Sequence, residues 1–231
     1  MSVPTRIRAA ALLAVTALVV GGAVATAAPA PAPKAFDYTK VAGLSKPTEK
    51  TEKVELTVPA ADGKELYLEI TKPVGKGRFP VILEASPYHG PMADRDGTRI
   101  LPDPKDEDGN PLGLTGFFAP RGYAVVMMDL RGTGRSQGCL DHLGPKDASD
   151  LKIVVEWAAS QPWSNGRVGM TGHSYVGSTP MVAAAQNPKG LVTIVPSAGL
   201  ASMYDHQFQG GVPFNLQYSG PQWAYELIAL N

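Results

Sequence analysis

One cysteine, Cys139, stands in 231 residues. A disulfide framework within the chain is therefore excluded, and an odd cysteine in a secreted protein implies a free thiol or a partner elsewhere. Charge of one sign is lacking too: Lys+Arg and Asp+Glu each number 21, for a net charge of zero. No long basic run occurs, so nothing supports binding to nucleic acid or another polyanion. His89, His142, His173 and His206 have no metal-ligand spacing. The acidic stretch "DPKDEDGNP" lacks both the glycine position and the closing glutamate of an EF-hand, and reads as a solvated loop. No metal or organic cofactor is implied, and no internal repeat is visible. What is present is the composition of a globular protein, 44% apolar and 18% charged.

The only apolar run of any length is near the start, from Ala9 to Val20, which is short for a membrane span. Arg6 and Arg8 precede it, and Ala25-Thr26-Ala27 follows with small residues suited to cleavage. Residues 1–27 are expected to be a secretory signal peptide, giving a secreted protein with no membrane span in its mature form. Neither a twin-arginine pair nor a cysteine at the cleavage site is present. An uncleaved anchor is the alternative. Residues 28–50, rich in Pro and Ala at first, read as an extended linker.

From there the chain alternates. Residues 54–72 predict two strands about the Asp62-Gly63 turn. "FPVILEASPY", "YAVVMMDL", "GRVGMTG" and "LVTIVPSAG" are short apolar runs expected as buried strands. "FFAPRG" closes a short helix, and a long loop of turn residues precedes it. "PKDASDLKIVVEWAASQP" predicts a helix capped by Asp147 or Ser149, and "YVGSTPMVAAAQNP" a second, with Pro180 near its first turn. Buried strands alternating with helices imply an α/β fold, a mostly parallel sheet with helices on both faces. The order is that of an α/β-hydrolase, with 51–203 as its N-terminal part and 204–231 as the start of a helical insertion.

Three motifs carry chemistry. In "VGMTGHSYVGSTP" Ser174 lies between a strand and a helix, flanked by Gly172 and Gly177. A nucleophile needs such a turn to lift its hydroxyl above the sheet and aim the next N–H at a developing oxyanion. An ordinary turn serine is the alternative. "DLRGTGRSQG" has the wrong spacing for a dinucleotide loop and no helix begins within it, so it reads as a structural loop beside the site. Tyr88, in "ASPYHG", ends a strand where α/β sheets bind ligands. It can donate a hydrogen bond there, or simply bond backbone.

Taken in order, "SPY", "DLRGTGRSQG" and "QPWSNGRVGMTGHSYVG" resemble the Xaa-Pro dipeptidyl-peptidase family of serine hydrolases, which includes cocaine esterase and α-amino-acid ester hydrolases. "LVTIVPSAGLASMYD" extends the resemblance over residues 54–231, while Pro180 departs from a frequent glutamine. The resemblance implies Ser174 as nucleophile, with the Tyr175 N–H and the Tyr88 hydroxyl as oxyanion donors. The implied substrate is a peptide with proline second, or a small ester or amide. An esterase or acylase is the alternative activity, and a non-catalytic secreted fragment or binding protein the alternative of another class. Oligomeric state is not legible.

The hydrolase order is Ser, then an acid, then His. Asp205 and His206 satisfy it only nominally, because adjacent side chains rarely reach the carboxylate-to-imidazole geometry of a triad. His173 adjoins the serine, but neighbours on such a turn point apart. The triad Asp and His are therefore expected outside these residues, in a longer enzyme that could also hold a partner for Cys139.

Overall fold

The structure is a computed structural model, and it describes residues 50–89, 113–202, 204, 205 and 208–213. The expected signal peptide, all of the linker except Lys50, most of the long loop, His206 and the end of the expected insertion lie outside the described residues.

The first elements are β1 (Thr51–Pro59) and β2 (Glu65–Pro73), an antiparallel hairpin in register from Thr51↔Pro73 to Pro59↔Glu65. Gly63, with φ 77°, supplies the left-handed turn residue the sequence predicts there. Next come β3 (Phe79–Ser86), α1 (Leu114–Phe118) and a 3₁₀ turn (Ala119–Arg121). They are followed by β4 (Ala124–Asp129), α2 (Pro145–Ser160), β5 (Ser164–His173), α3 (Tyr175–Ala185) and β6 (Leu191–Ser197). Two-residue strands β7 (Phe208–Gln209) and β8 (Val212–Pro213) pair only with each other.

The six-stranded sheet runs β1-β2-β4-β3-β5-β6. Strands β4, β3, β5 and β6 are mutually parallel, and the hairpin joins antiparallel through β2 against β4. Strand β4 shows why both faces must be covered. Its Ala124, Val126 and Met128 enter the main core with Leu83, Leu151, Val154 and Met170. Its Val125 and Met127 join Ala119, Leu114 and Phe118 in a second core under α1. All six β4 residues are buried, as a strand sandwiched by helices requires.

Four local expectations need correction. The cap of α2 is Gly144, not Asp147 or Ser149. Asp147 sits in the first turn and accepts the Leu143 N–H at 2.8 Å, while Asp141 accepts the Lys146 N–H at 2.7 Å. One orphan N–H of the helix start, that of Lys146, is thus met from outside the cap. Strand β3 is buried alternately rather than throughout, because Ile82 and Glu84 face a side only partly covered among the described residues. Strand β6 is largely exposed: Val192 is 53% and Val195 61% exposed, since it is the sheet edge among the described residues.

The fourth correction is Pro180, which lies inside α3 rather than near its first turn. Proline cannot donate to Val176 O four residues back. The Thr179 hydroxyl lies 2.9 Å from that oxygen and replaces the missing donor. It is also 3.1 Å from Ala85 O, tying α3 to the end of β3.

Candidate active site

The parallel strands all end on one edge, and the predicted residues gather there. Ser174 occupies the single-residue turn from β5 into α3, exposed, with φ 62° and ψ −127°. That conformation is left-handed and sparsely populated, costing roughly 1–3 kcal/mol for a residue with a Cβ. The surroundings enforce it. Ser174 N–H donates to Ser197 O at 2.9 Å, and Gly177 N–H donates to Ser174 O at 2.9 Å.

The flanking glycines are explained by space. A Cβ on Gly172 would lie 2.3 Å from Val176 O, and one on Gly177 would lie 2.2 Å from Ser197 O. The sequence spacing G-x-S-x-x-G therefore records two backbone crossings on either side of the turn.

Tyr175 is the first residue of α3, directly after Ser174. Its ring is buried in the main core. Tyr88, half-buried after β3, meets that ring edge to face, with centroids 6.4 Å apart and planes at 72°. The fold thus brings Tyr88, Ser174 and Tyr175 to one place from two separate strand ends. Tyr88 N–H is held by Ser86 Oγ at 3.0 Å.

The other candidates fall elsewhere. His173 is exposed and its Nδ1 lies 3.0 Å from Ser197 Oγ. Asp205 is exposed, with its N–H on Ser202 Oγ at 3.1 Å. Among the described residues no imidazole or carboxylate bonds the Ser174 hydroxyl, and no group of three His, Cys, Asp or Glu could hold a metal.

The "DLRGTGRSQG" loop wraps the Asp129 carboxylate. Asp129 Oδ2 accepts the Arg135 N–H at 2.8 Å, and Ser136 Oγ donates to Asp129 O at 2.7 Å. Gly134 has φ 54°, and a Cβ there would lie 2.2 Å from Asp129 Oδ2, so only glycine closes the wrap. The same carboxylate reaches His89, whose Nδ1 is 2.9 Å from Asp129 Oδ1. Glu84 faces the other ring nitrogen at 3.6 Å. Burial alone would lower the His89 pKa, but the two carboxylates outweigh it and push it up to about 9.

Two residues past Asp129, buried Arg131 grips Asp150 of α2 with two bonds, 2.7 and 2.9 Å, and reaches Asp62 of the hairpin at 3.0 Å. Those carboxylates hold its pKa well above the ordinary guanidinium value. Sequence reading assigned the loop a structural role without finding these partners. The contacts join residues 19, 40 and 69 positions apart, and only the buried-strand-then-Asp pattern hints at Asp129.

Comparison with known proteins identifies the family and the fold. Residues 62–229 match the model of the X-Pro dipeptidyl-peptidase (S15) family. A putative Xaa-Pro dipeptidyl-peptidase of Streptomyces avermitilis is 36% identical over 192 residues, covering 72% of this chain and 28% of that protein. A Rhodococcus cocaine esterase is 33% identical over 156 residues, covering 66% of this chain and 24% of that one. Among solved structures, a CocE/NonD family hydrolase from Staphylococcus aureus superposes with a TM-score of 0.59 at 34% identity. That match takes in 71% of this chain and 31% of the other. The chain thus spans about a quarter to three-tenths of the length of these relatives.

Proposed function

The chain belongs to the X-Pro dipeptidyl-peptidase (S15) family, a family of hydrolases with the α/β-hydrolase fold, and on that premise we propose that Ser174 is its nucleophile. The observation that carries the proposal is the strained Ser174 conformation, φ 62° and ψ −127°, at the head of α3. Backbone strain at an exposed serine between a strand and a helix serves to present the hydroxyl and the following N–H together.

In this reading Ser174 Oγ attacks the substrate carbonyl carbon and gives its proton to a base. The carbonyl oxygen becomes an oxyanion, held by the Tyr175 N–H and the Tyr88 hydroxyl. Collapse expels the amine or alcohol with a proton and leaves an acyl ester on Ser174, which water then cleaves. Among the described residues neither sequence candidate serves as that base: Asp205 is exposed beside Ser202, and His173 Nδ1 lies 3.0 Å from Ser197 Oγ.

The preferred substrates are peptides with proline second, cut to release the dipeptide. The enzyme reaches them outside the cell, after loss of residues 1–27. A second reading, hydrolysis of small esters, is favoured by the cocaine esterase among the relatives.

The test uses the enzyme that contains these residues. Free-amine Gly-Pro amides should be cleaved and N-acetylated ones spared, because blocking the ammonium removes a charge-assisted contact. Ser174→Ala should abolish turnover and the trapped acyl-enzyme mass. Equal rates on both amides, with faster ester cleavage, would move the assignment to the esterase. An active Ser174→Ala variant would overturn the nucleophile itself. Mature protein beginning at Ala28 would support the secretion reading, and an intact N-terminus would reject it.

A further inference from the structure

The residue after Tyr88 is held more tightly than a surface loop needs. His89 has a side chain 21% exposed, with Nδ1 2.9 Å from Asp129 Oδ1 and Nε2 facing Glu84 Oε1 at 3.6 Å. Asp129 is itself 5% exposed and fixed from its other side by the Arg135 N–H at 2.8 Å. That N–H belongs to the loop closed around Asp129 by Gly134. The imidazole is therefore bound to an anchor that cannot swing. On the other side of Tyr88, Ser86 Oγ accepts the Tyr88 N–H at 3.0 Å.

Tyr88 thus stands between two anchors, one on its own N–H and one on the ring of the next residue. Between them its main chain has little freedom, and its ring meets Tyr175. One buried and one partly buried carboxylate around one imidazole also make sense electrostatically. A protonated ring there faces one carboxylate at each nitrogen, 2.9 Å from Asp129 and 3.6 Å from Glu84.

We propose that His89 is a positioning residue, which through Asp129 and Glu84 fixes the main chain of Tyr88 and so the place of the Tyr88 hydroxyl beside the Ser174–Tyr175 turn. The proposal rests on the reading of Tyr88 as an oxyanion donor. A donor displaced by about 1 Å loses on the order of a hundred-fold in rate, and the loss falls on turnover because the oxyanion exists only in the transition state.

The experiment is a double-mutant cycle in the catalytically active enzyme that contains these residues. His89→Ala should lower kcat about ten- to a hundred-fold with KM changed by less than about three-fold. Tyr88→Phe should lower it further, and adding His89→Ala to Tyr88→Phe should cost almost nothing more, because His89 acts only through that hydroxyl. A Tyr88→Phe enzyme with full turnover would overturn the oxyanion reading itself. If Tyr88→Phe is slow, two results would overturn the positioning role alone. One is wild-type turnover in His89→Ala. The other is a double mutant whose loss is the product of the single losses. Should His89→Ala fail to fold, His89→Gln and His89→Met take its place. Glutamine keeps an N–H for Asp129 and should retain most of the turnover, while methionine does not. Equal turnover in those two would also overturn it.

Discussion

The main-chain N–H of Ser174 donates to the carbonyl of Ser197 at 2.9 Å. The turn that presents the hydroxyl is therefore fastened to the last residue of β6. Gly199 belongs to the same contact, since a Cβ on it would lie 2.4 Å from Gly177 O.

Gly177→Ala tests how tightly that fastening is built. The added methyl would lie 2.2 Å from Ser197 O and 3.1 Å from Gly172 O, both backbone atoms. No rotamer relieves a backbone clash, so β6 or α3 must shift. The expected cost is about 1–3 kcal/mol, the usual range for overpacking, with near-complete loss of Ser174 acylation. Normal acylation in a stable Gly177→Ala protein would show that the turn tolerates a wider gap.

The fork of Arg131 gives a graded prediction. Asp150 is 1% exposed and Asp62 has a side chain 42% exposed. Arg131→Ala leaves the Asp150 carboxylate buried without a partner and should cost about 3–5 kcal/mol. Asp62→Ala removes only the outer limb, an exposed carboxylate, and should cost far less. Arg131→Lys should fall between, because an ammonium cannot reproduce two parallel bonds. Chemical denaturation midpoints rank the three. An Asp62→Ala protein as unstable as Arg131→Ala would mean that the hairpin, and not α2, is what Arg131 holds.

These two predictions mark where sequence reading succeeded and where it stopped. Strand β4 was legible because burial on both faces leaves an unbroken apolar run. The Ser174 turn was legible because its two glycines are forced by crossings close in sequence. Asp129–His89 and Arg131–Asp150 were not, since a carboxylate's partner is set by which strand ends the sheet places together. Pro180 misled in a different way. Sequence rules put proline in a first turn, and the hydroxyl of its neighbour Thr179 lets it sit deeper. Strand β6 looked like a core strand because composition records what a strand is built to face, and most of that face is exposed among the described residues.

His89 makes stability depend on pH with a definite sign. Its folded-state pKa, about 9, exceeds the ordinary 6.5 because Asp129 and Glu84 outweigh the effect of burial. Between those values the folded chain keeps a proton that the unfolded chain releases, so stability falls as pH rises. The contribution is complete below about pH 6.5 and is lost as pH climbs through the folded value. Melting temperatures from pH 6 to 10 should show this decline in the wild type and a flatter profile in His89→Gln. Parallel profiles would place the proton elsewhere.

The last prediction concerns Thr179 and Pro180. Thr179 is fully buried, and its hydroxyl lies 2.9 Å from Val176 O and 3.1 Å from Ala85 O. Thr179→Val keeps the shape and removes the donor. The single hydroxyl proton shared between these two carbonyls is then lost, at a cost of about 1–3 kcal/mol. Pro180→Ala supplies a backbone N–H that can donate to Val176 O in the regular helical way. In that background Thr179→Val should cost less, because only Ala85 O is left unmet. Some loss should remain, since the tie from α3 to β3 is still cut. The coupling between the two substitutions, read from denaturation free energies, measures how far the hydroxyl stands in for the missing N–H. Equal cost in both backgrounds would mean that Val176 O is satisfied in another way, and that Thr179 serves β3 alone.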